Sequence, residues 1–166
     1  MMPTQQRLND LFEYKDGRLF RKISVQGAPK GMEVGCTDTR GYKYVIVDSK
    51  RIRMHKVVFM MHYGYTPELI DHIDGNAKNN LIENLRKATK SENNMNQKIH
   101  KNNKCGKKNI HWIEKARSWC VKLNVNKKRI HVGLFKDLEL AELVAIEARE
   151  KYHKHFANHG FKGVTP

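Results

Sequence analysis

The chain has 166 residues, enough for one ordinary domain or two to three very small ones, and its 32 Lys and Arg against 17 Asp and Glu give a formal net charge of +15. So large an excess points to a polyanionic partner, nucleic acid or an anionic membrane surface. The 39% apolar content is too high for a disordered basic tail. No apolar run approaches the roughly 20 residues of a spanning helix, and the first residues, MMPTQQRLNDLF, lack the apolar stretch of a signal peptide. A soluble, cytoplasmic protein without a membrane partner is expected. Cys36, Cys105 and Cys120 are widely spaced and form no CxxC pair, which predicts free thiols rather than a disulfide framework or structural zinc.

Residues 1–50 read as short strands and turns. Leu11 to Tyr14 and Arg18 to Lys22 flank Asp16-Gly17, a hairpin signal. Gly41 to Val47 and Lys50 to Met54 flank Asp48-Ser49 as a second hairpin. Its alternate Lys and Arg suit either a solvated sheet face or a surface lying on phosphates. His55 to Tyr63 is predicted as a helix with Val57, Val58, Met61 and His62 on one side, ended by Gly64 and Pro67. Residues 97–108 hold five Lys and no acid, the composition of a basic linker or backbone-tracking arm.

Downstream, Ile110 to Ile113, Trp119 to Val125 and Arg129 to Leu134 read as three strands, the second alternating apolar and polar with period two. Asp137 then caps a helix whose apolar positions Ala141, Val144, Ala145, Ala148, Tyr152 and Phe156 share one face. Glu139 and Glu142 near its start and Lys151 and Lys154 near its end match the helix dipole. If Trp119, Val121 and Leu123 face this helix, then Lys122 and Asn124 face away, joined by Arg129, His131 and His111. Between residues 105 and 136 there are nine Lys or Arg and one Glu, so attraction to phosphates is well supplied. A zinc site from His153, His155 and His159 is disfavoured, since these fall on a helix end expected to be mostly solvated.

The chemistry is carried by residues 69–96. A strand delivers Asp71 and His72 to its end, a polar loop rich in Asn and Asp-Gly follows, and a short strand returns at 84–86. Thr89-x-x-Glu92 is a capping box that opens a helix carrying Asn93. Such a strand, strand, helix unit can bring Asp71, His72 and Asn93 together. The trio suits phosphodiester hydrolysis. A neutral imidazole is a natural base for water. A carboxylate with an amide oxygen offers hard ligands for Mg²⁺ or Mn²⁺, which acts as a Lewis acid on the phosphoryl group. Asp74, Asn76, Asn79 and Asn80 are assigned mainly to loop structure.

The spacing D-H-x-D-G-x-x-x-N-N-x-x-x-N-L-R-x-x-T-x-x-x-N, within residues 69–96 or about a sixth of the chain, resembles the HNH, or ββα-metal, nuclease motif in its phage and intron-encoded homing form. The resemblance implies His72 as general base, Asp71 and Asn93 as metal ligands of one divalent ion, and Asn84 as the residue of the catalytic set that braces the loop. His55 matches an upstream His common in that subfamily and is not assigned a catalytic role. Residues 105–160 resemble the Apetala/ethylene-response-factor DNA-binding domain. That resemblance implies contacts to DNA from His111, Arg117, Lys122, Asn124, Arg129 and His131, with backbone anchoring favoured over base reading because the face is poor in arginine.

The expected architecture is therefore α+β: antiparallel hairpins and the nuclease unit over 1–96, a basic linker over 97–104, and a three-stranded antiparallel sheet on one helix over 105–160. The expected function is metal-dependent cleavage of double-stranded DNA, as single-strand nicks with 5′-phosphate and 3′-hydroxyl ends, by a monomer with no obligate protein partner. The alternative is a DNA-binding regulator that inherited the scaffold without catalysis.

Overall fold

Thr4 opens the first element: its hydroxyl accepts the Arg7 backbone N–H at 3.2 Å, and helix α1 (Gln5–Leu11) follows. The sequence reading held only strands and turns here. The cap, and the three-residue spacing that turns Leu8 and Leu11 together into the core, explain the helix instead. The computed structural model describes residues 2–25, 27–99 and 102–160. It divides into two compact units, Met1–Ala88 and Thr89–Pro166.

In the first unit, β1 (Phe12–Lys15) and β2 (Arg18–Arg21) form the expected hairpin, and Asp16 and Gly17 take positive φ values of 46° and 74°. Strand β3 (Glu33–Val34) pairs with the other edge of β2. A second sheet orders β4 (Cys36–Thr37), β5 (Lys43–Val47) and β6 (Lys50–Arg53), with Asp48-Ser49 as its two-residue turn. Alternation sorts β5 cleanly: Val45 and Val47 are buried while Ile46 is exposed. Helix α2 (Met54–Tyr63) starts directly after β6 and ends at Gly64, whose left-handed conformation lets its N–H reach the Met60 carbonyl at 2.9 Å. A two-stranded ribbon, β7 (Leu69–His72) and β8 (Leu85–Ala88), completes the unit.

Leu8, Leu19, Val57 and Val58 are fully enclosed in this unit's core, with Ile70 and Leu85 tying the ribbon to it. Each such side chain contributes roughly 1.5–3 kcal/mol by burial. The β1–β2 turn also supports the loop between β7 and β8. The Tyr14 hydroxyl accepts the Ile82 N–H at 2.9 Å, and a Cβ at Gly17 would lie 2.9 Å from the Leu81 nitrogen.

The second unit begins with α3 (Lys90–Met95). Its sheet runs β11 (Lys128–Phe135), β10 (Ser118–Val125), β9 (Ile110–Ile113), all antiparallel, and α4 (Leu138–His153) packs on it. This is the expected sheet on one helix. Asp137 caps α4 as read from the sequence, accepting the Leu140 N–H at 2.7 Å. Val121 and Leu123 meet Ala141, Ala145 and Ala148 in the core. Three details depart from the helical pattern. Tyr152 is exposed, whereas Arg149 and His153 are buried on the stripe where only apolar residues were expected. The Arg149 guanidinium is accommodated because it donates to the Lys108 carbonyl at 2.8 Å. His153 is thus not on a solvated helix end. The three cysteines are free thiols.

Gly17→Ala should destabilise the first unit by roughly 1–3 kcal/mol, since it imposes a left-handed φ on an L-residue and drives a methyl against the 80–81 backbone. Urea denaturation measures this. His153 generates a second expectation. Burial foremost, with Lys108 and Arg149 adding, lowers its pKa from 6.5 to about 4. Above pH 6.5 both folded and unfolded chains leave it neutral. Between these values only the unfolded chain takes the proton, so stability should fall with pH across that window by about 3 kcal/mol and no further below it. Urea titrations from pH 7 to 4 should show a flatter decline for His153→Leu than for the parent chain.

Candidate active site

The polar end of β7 is where the first unit concentrates its chemistry. Antiparallel register sets Asp71 opposite Arg86 and His72 opposite Leu85. The Arg86 Nε and Nη2 groups both donate to Asp71 Oδ2, at 2.9 and 2.8 Å, and Asp71 is only 5% exposed. A carboxylate taken so far out of water needs such a charge-assisted partner. The sequence reading did not single out Arg86, because its place across from Asp71 depends on the register of the ribbon.

His72 is equally buried. Its ring meets the His55 ring edge to face, with centroids 5.2 Å apart, and Tyr42 lies 6.2 Å away under the Arg53 guanidinium. The decisive contact is with Asn80, 2% exposed, whose Oδ1 lies 3.3 Å from His72 Nε2. The Asn80 amide is oriented independently, because its Nδ2 donates to the Lys78 carbonyl at 3.2 Å. An amide oxygen only accepts, so His72 Nε2 carries the proton and Nδ1 carries the lone pair. Burial lowers the His72 pKa from 6.5, opposed by Asn80, Asp74 and Asp71. The ring is therefore neutral near pH 7, in the state a general base requires. Burial also lowers His55, to about 3, with the neighbouring His72 adding to it, so the pair carries no mutual charge repulsion.

The 73–84 loop is held by a web of short polar contacts. Asn84 Oδ1 accepts the Asp74 N–H at 3.0 Å, while its Nδ2 donates to Asp74 Oδ1 at 3.0 Å and to the Asn79 carbonyl at 2.9 Å. Asp74 also takes the Asn76 N–H at 2.7 Å and the Asn79 amide at 2.8 Å. Asn84 is thus a brace by geometry. Asn80 belongs to the His72 side chain as much as to the loop, and nothing in a run of asparagines marks which one turns inward. His62, read as a packing residue, donates Nδ1–H to the Val58 carbonyl at 2.8 Å and stacks against Tyr14.

In the second unit, the Thr89 capping box forms as read, with Glu92 N–H to the Thr89 hydroxyl at 3.2 Å and Thr89 N–H to the Glu92 carboxylate at 2.7 Å. It starts α3, on which Asn93 is half-buried. On the sheet, Lys122 pairs with His131 and Asn124 with Arg129, and His111 lies across from Cys120. Burial and then Lys122, Arg129 and His131 lower the His111 pKa, which reflects how close these groups lie. The register shifts at Val121/Lys122, where a bulge skips Val132, so that Lys122 faces His131. Arg117 instead occupies a left-handed position in the β9–β10 connection.

The donor chemistry suits a hard divalent cation. In the first unit Asp71 offers a carboxylate at a strand end, and in the second Asn93 carries an amide oxygen on α3. Among the described residues no cluster of three or more His, Cys, Asp or Glu gathers to form a metal cage.

A buried strand end bearing an oriented imidazole next to a carboxylate is what an HNH-type nuclease requires. A family model described as HNH endonuclease matches residues 53–95, spanning α2 to the end of α3. Over 112 residues the chain is 34% identical to Protein 3.8 of Escherichia phage T7, an alignment covering 65% of this chain and 90% of the phage protein. The chain belongs to the same family as that phage protein. No solved structure matches it. Among the described residues no helix is long and apolar enough to cross a membrane.

The tautomer is directly testable. Nitrogen chemical shifts of His72 should report the Nε2–H form in the parent chain, and Asn80→Ala should shift the ring toward a mixture of tautomers while the fold persists. An Nδ1–H ring in the parent chain would contradict the assigned orientation.

Proposed function

We propose that the protein is a metal-dependent DNA endonuclease of the homing type that hydrolyses phosphodiester bonds to 5′-phosphate and 3′-hydroxyl ends. The single observation that carries this reading is the Asn80 contact at His72 Nε2, which leaves Nδ1 as the basic nitrogen. His72 Nδ1 takes a proton from water as the water oxygen bonds to phosphorus. The bond from phosphorus to the 3′ oxygen breaks, and that oxygen leaves as a hydroxyl after taking a proton from solvent. Asn80 is a positioning residue that keeps Nε2 protonated. Asn84 is a second one, acting through the 73–84 loop. Asp71 and Asn93 would hold one Mg²⁺ or Mn²⁺, which when bound supplies Lewis-acid stabilisation of charge on the phosphate and leaving oxygen.

Residues 105–160 anchor the enzyme to flanking double-stranded DNA. Their order of three strands and one helix supports the likeness to the Apetala/ethylene-response-factor domain. His111, Lys122, Asn124, Arg129 and His131, with Arg117 at the strand connection, supply the contacts, and most of them go to the backbone. One motif per chain in a monomer favours nicking over a double-strand break.

His72→Ala should abolish Mg²⁺-dependent nicking of supercoiled plasmid, a loss of at least about a hundredfold for a missing general base, while binding to the same DNA without divalent ions stays nearly unchanged. Nicking at the parental rate would remove His72 from the chemistry. Binding without any nicking by the parent chain would favour the regulator.

A further inference from the structure

The second unit contains a cleft of about 780 Å³ that the contacts assigned above use only at its edge. One wall is α3 and the residues that follow it, with Lys90, Asn94, Gln97 and Lys98. The other is the second half of β10 with the turn after it, and the turn leading into β9, with Lys108, Asn109, Lys122, Asn124 and Lys127. Five lysines line it, and among the described residues no Asp or Glu does. The nearby acids are otherwise engaged: Glu142 is paired with Lys107, and Glu150 lies 3.8 Å from His159.

The geometry of this cleft is held from behind. The Lys108 ammonium donates to the Met95 carbonyl at 2.8 Å, the Asn126 N–H donates to the Ser91 hydroxyl at 3.1 Å, and Asn158 donates to the Asn96 carbonyl at 2.9 Å. These bonds join α3 to the sheet and to the end of α4, so the two walls form one rigid groove. His153 also lines it. That imidazole is 4% exposed, and neither ring nitrogen has a hydrogen-bond partner of good geometry among the described residues. Buried polar groups are rarely left so. A ligand carrying acceptor oxygens would satisfy both features, the unbalanced positive charge and the unpaired imidazole N–H.

We infer that this cleft binds the sugar-phosphate backbone of the DNA substrate, so that the helix carrying Asn93 is itself one wall of the DNA site. The inference rests on the nuclease reading for the identity of the polyanion, but not on cleavage. Lysines supply charge without planar recognition, and the amides of Asn94, Gln97, Asn109 and Asn124 offer donors to phosphate and sugar oxygens. The cleft is continuous with the outer sheet face through Lys122 and Asn124. Backbone held there would run from the anchoring module to the nuclease helix without leaving the basic surface.

The test uses the full chain in EDTA with a short mixed-sequence DNA duplex, followed by fluorescence anisotropy over a range of salt. Lys98 and Lys127 are exposed, and their replacement leaves both cores intact. Lys98→Gln with Lys127→Gln should weaken binding about tenfold and lower the slope of log affinity against log salt by about two. Lys30→Gln with Lys151→Gln, an equal charge change away from the cleft, should do neither. Charge reversal at Lys98 and Lys127 should deepen the effect, and Tm measurements should show all variants folded. Equal weakening by both pairs would overturn the inference, because the attraction would then belong to net charge alone. Tighter binding of duplex RNA, lost with the same cleft variants, would assign the cleft to RNA and overturn it for DNA. If the parent chain nicks no plasmid with Mg²⁺ yet loses DNA binding with the cleft variants, the nuclease reading fails and the cleft stands.

Discussion

A single buried amide governs the chemistry available to the first unit. Asn80 is pinned by the Lys78 carbonyl on one side and receives the His72 Nε2 proton on the other. With that orientation held, the second nitrogen of the imidazole is a base, and burial keeps it neutral near pH 7. Much of the surrounding structure can be understood as what keeps Asn80 there. The Asp16-Gly17 turn abuts the Asn80-Leu81 backbone, and Tyr14 takes the next N–H along the loop. Asn84 and Asp74 close the rest of the loop through reciprocal bonds. A hairpin distant in sequence thus supports the loop that carries Asn80.

The same end of β7 manages charge by pairing rather than by exposure. Asp71 is nearly sealed from water, and a lone carboxylate there would be costly. Arg86 offsets that cost through two bonds to one oxygen. His55, Tyr42 and His72 form an uncharged aromatic group beside this ion pair. The second unit repeats the theme with the sign reversed: Arg149 and His153 are buried, and positive charge lines the neighbouring cleft. Net charge of +15 is therefore not spread evenly. Five of its lysines line that one cleft.

Much of this was legible beforehand. Two-residue turns at Asp16-Gly17 and Asp48-Ser49, the Asp137 cap, the Thr89 capping box and the period-two alternation of β10 are local signals, and each formed as read. The spacing that singled out Asp71-His72 and Asn84 falls within the residues that the HNH endonuclease family model matches. Asn80 was not singled out, because a burial difference among neighbouring asparagines has no local signature. Helix α1 was missed because Leu11 and Phe12 look alike to a pattern of apolar residues, although one ends a helix and the other begins a strand. Tyr152, Arg149 and His153 exchanged expected places because which helical stripe is buried depends on where the sheet lies against α4.

What the sequence determined by itself is residue chemistry at short range: caps, turns, strand parity, the identity of a nuclease motif and an excess of positive charge. Those depend on neighbours a few residues apart, and the chain carries them wherever it goes. Only the tertiary structure decided which asparagine orients His72, which arginine neutralises Asp71, and that the lysines of α3 and β10 face one another across a single groove. The first two contacts span only eight and fifteen residues, the third more, but all are made when apolar faces pack, and no local rule encodes which side chains then meet.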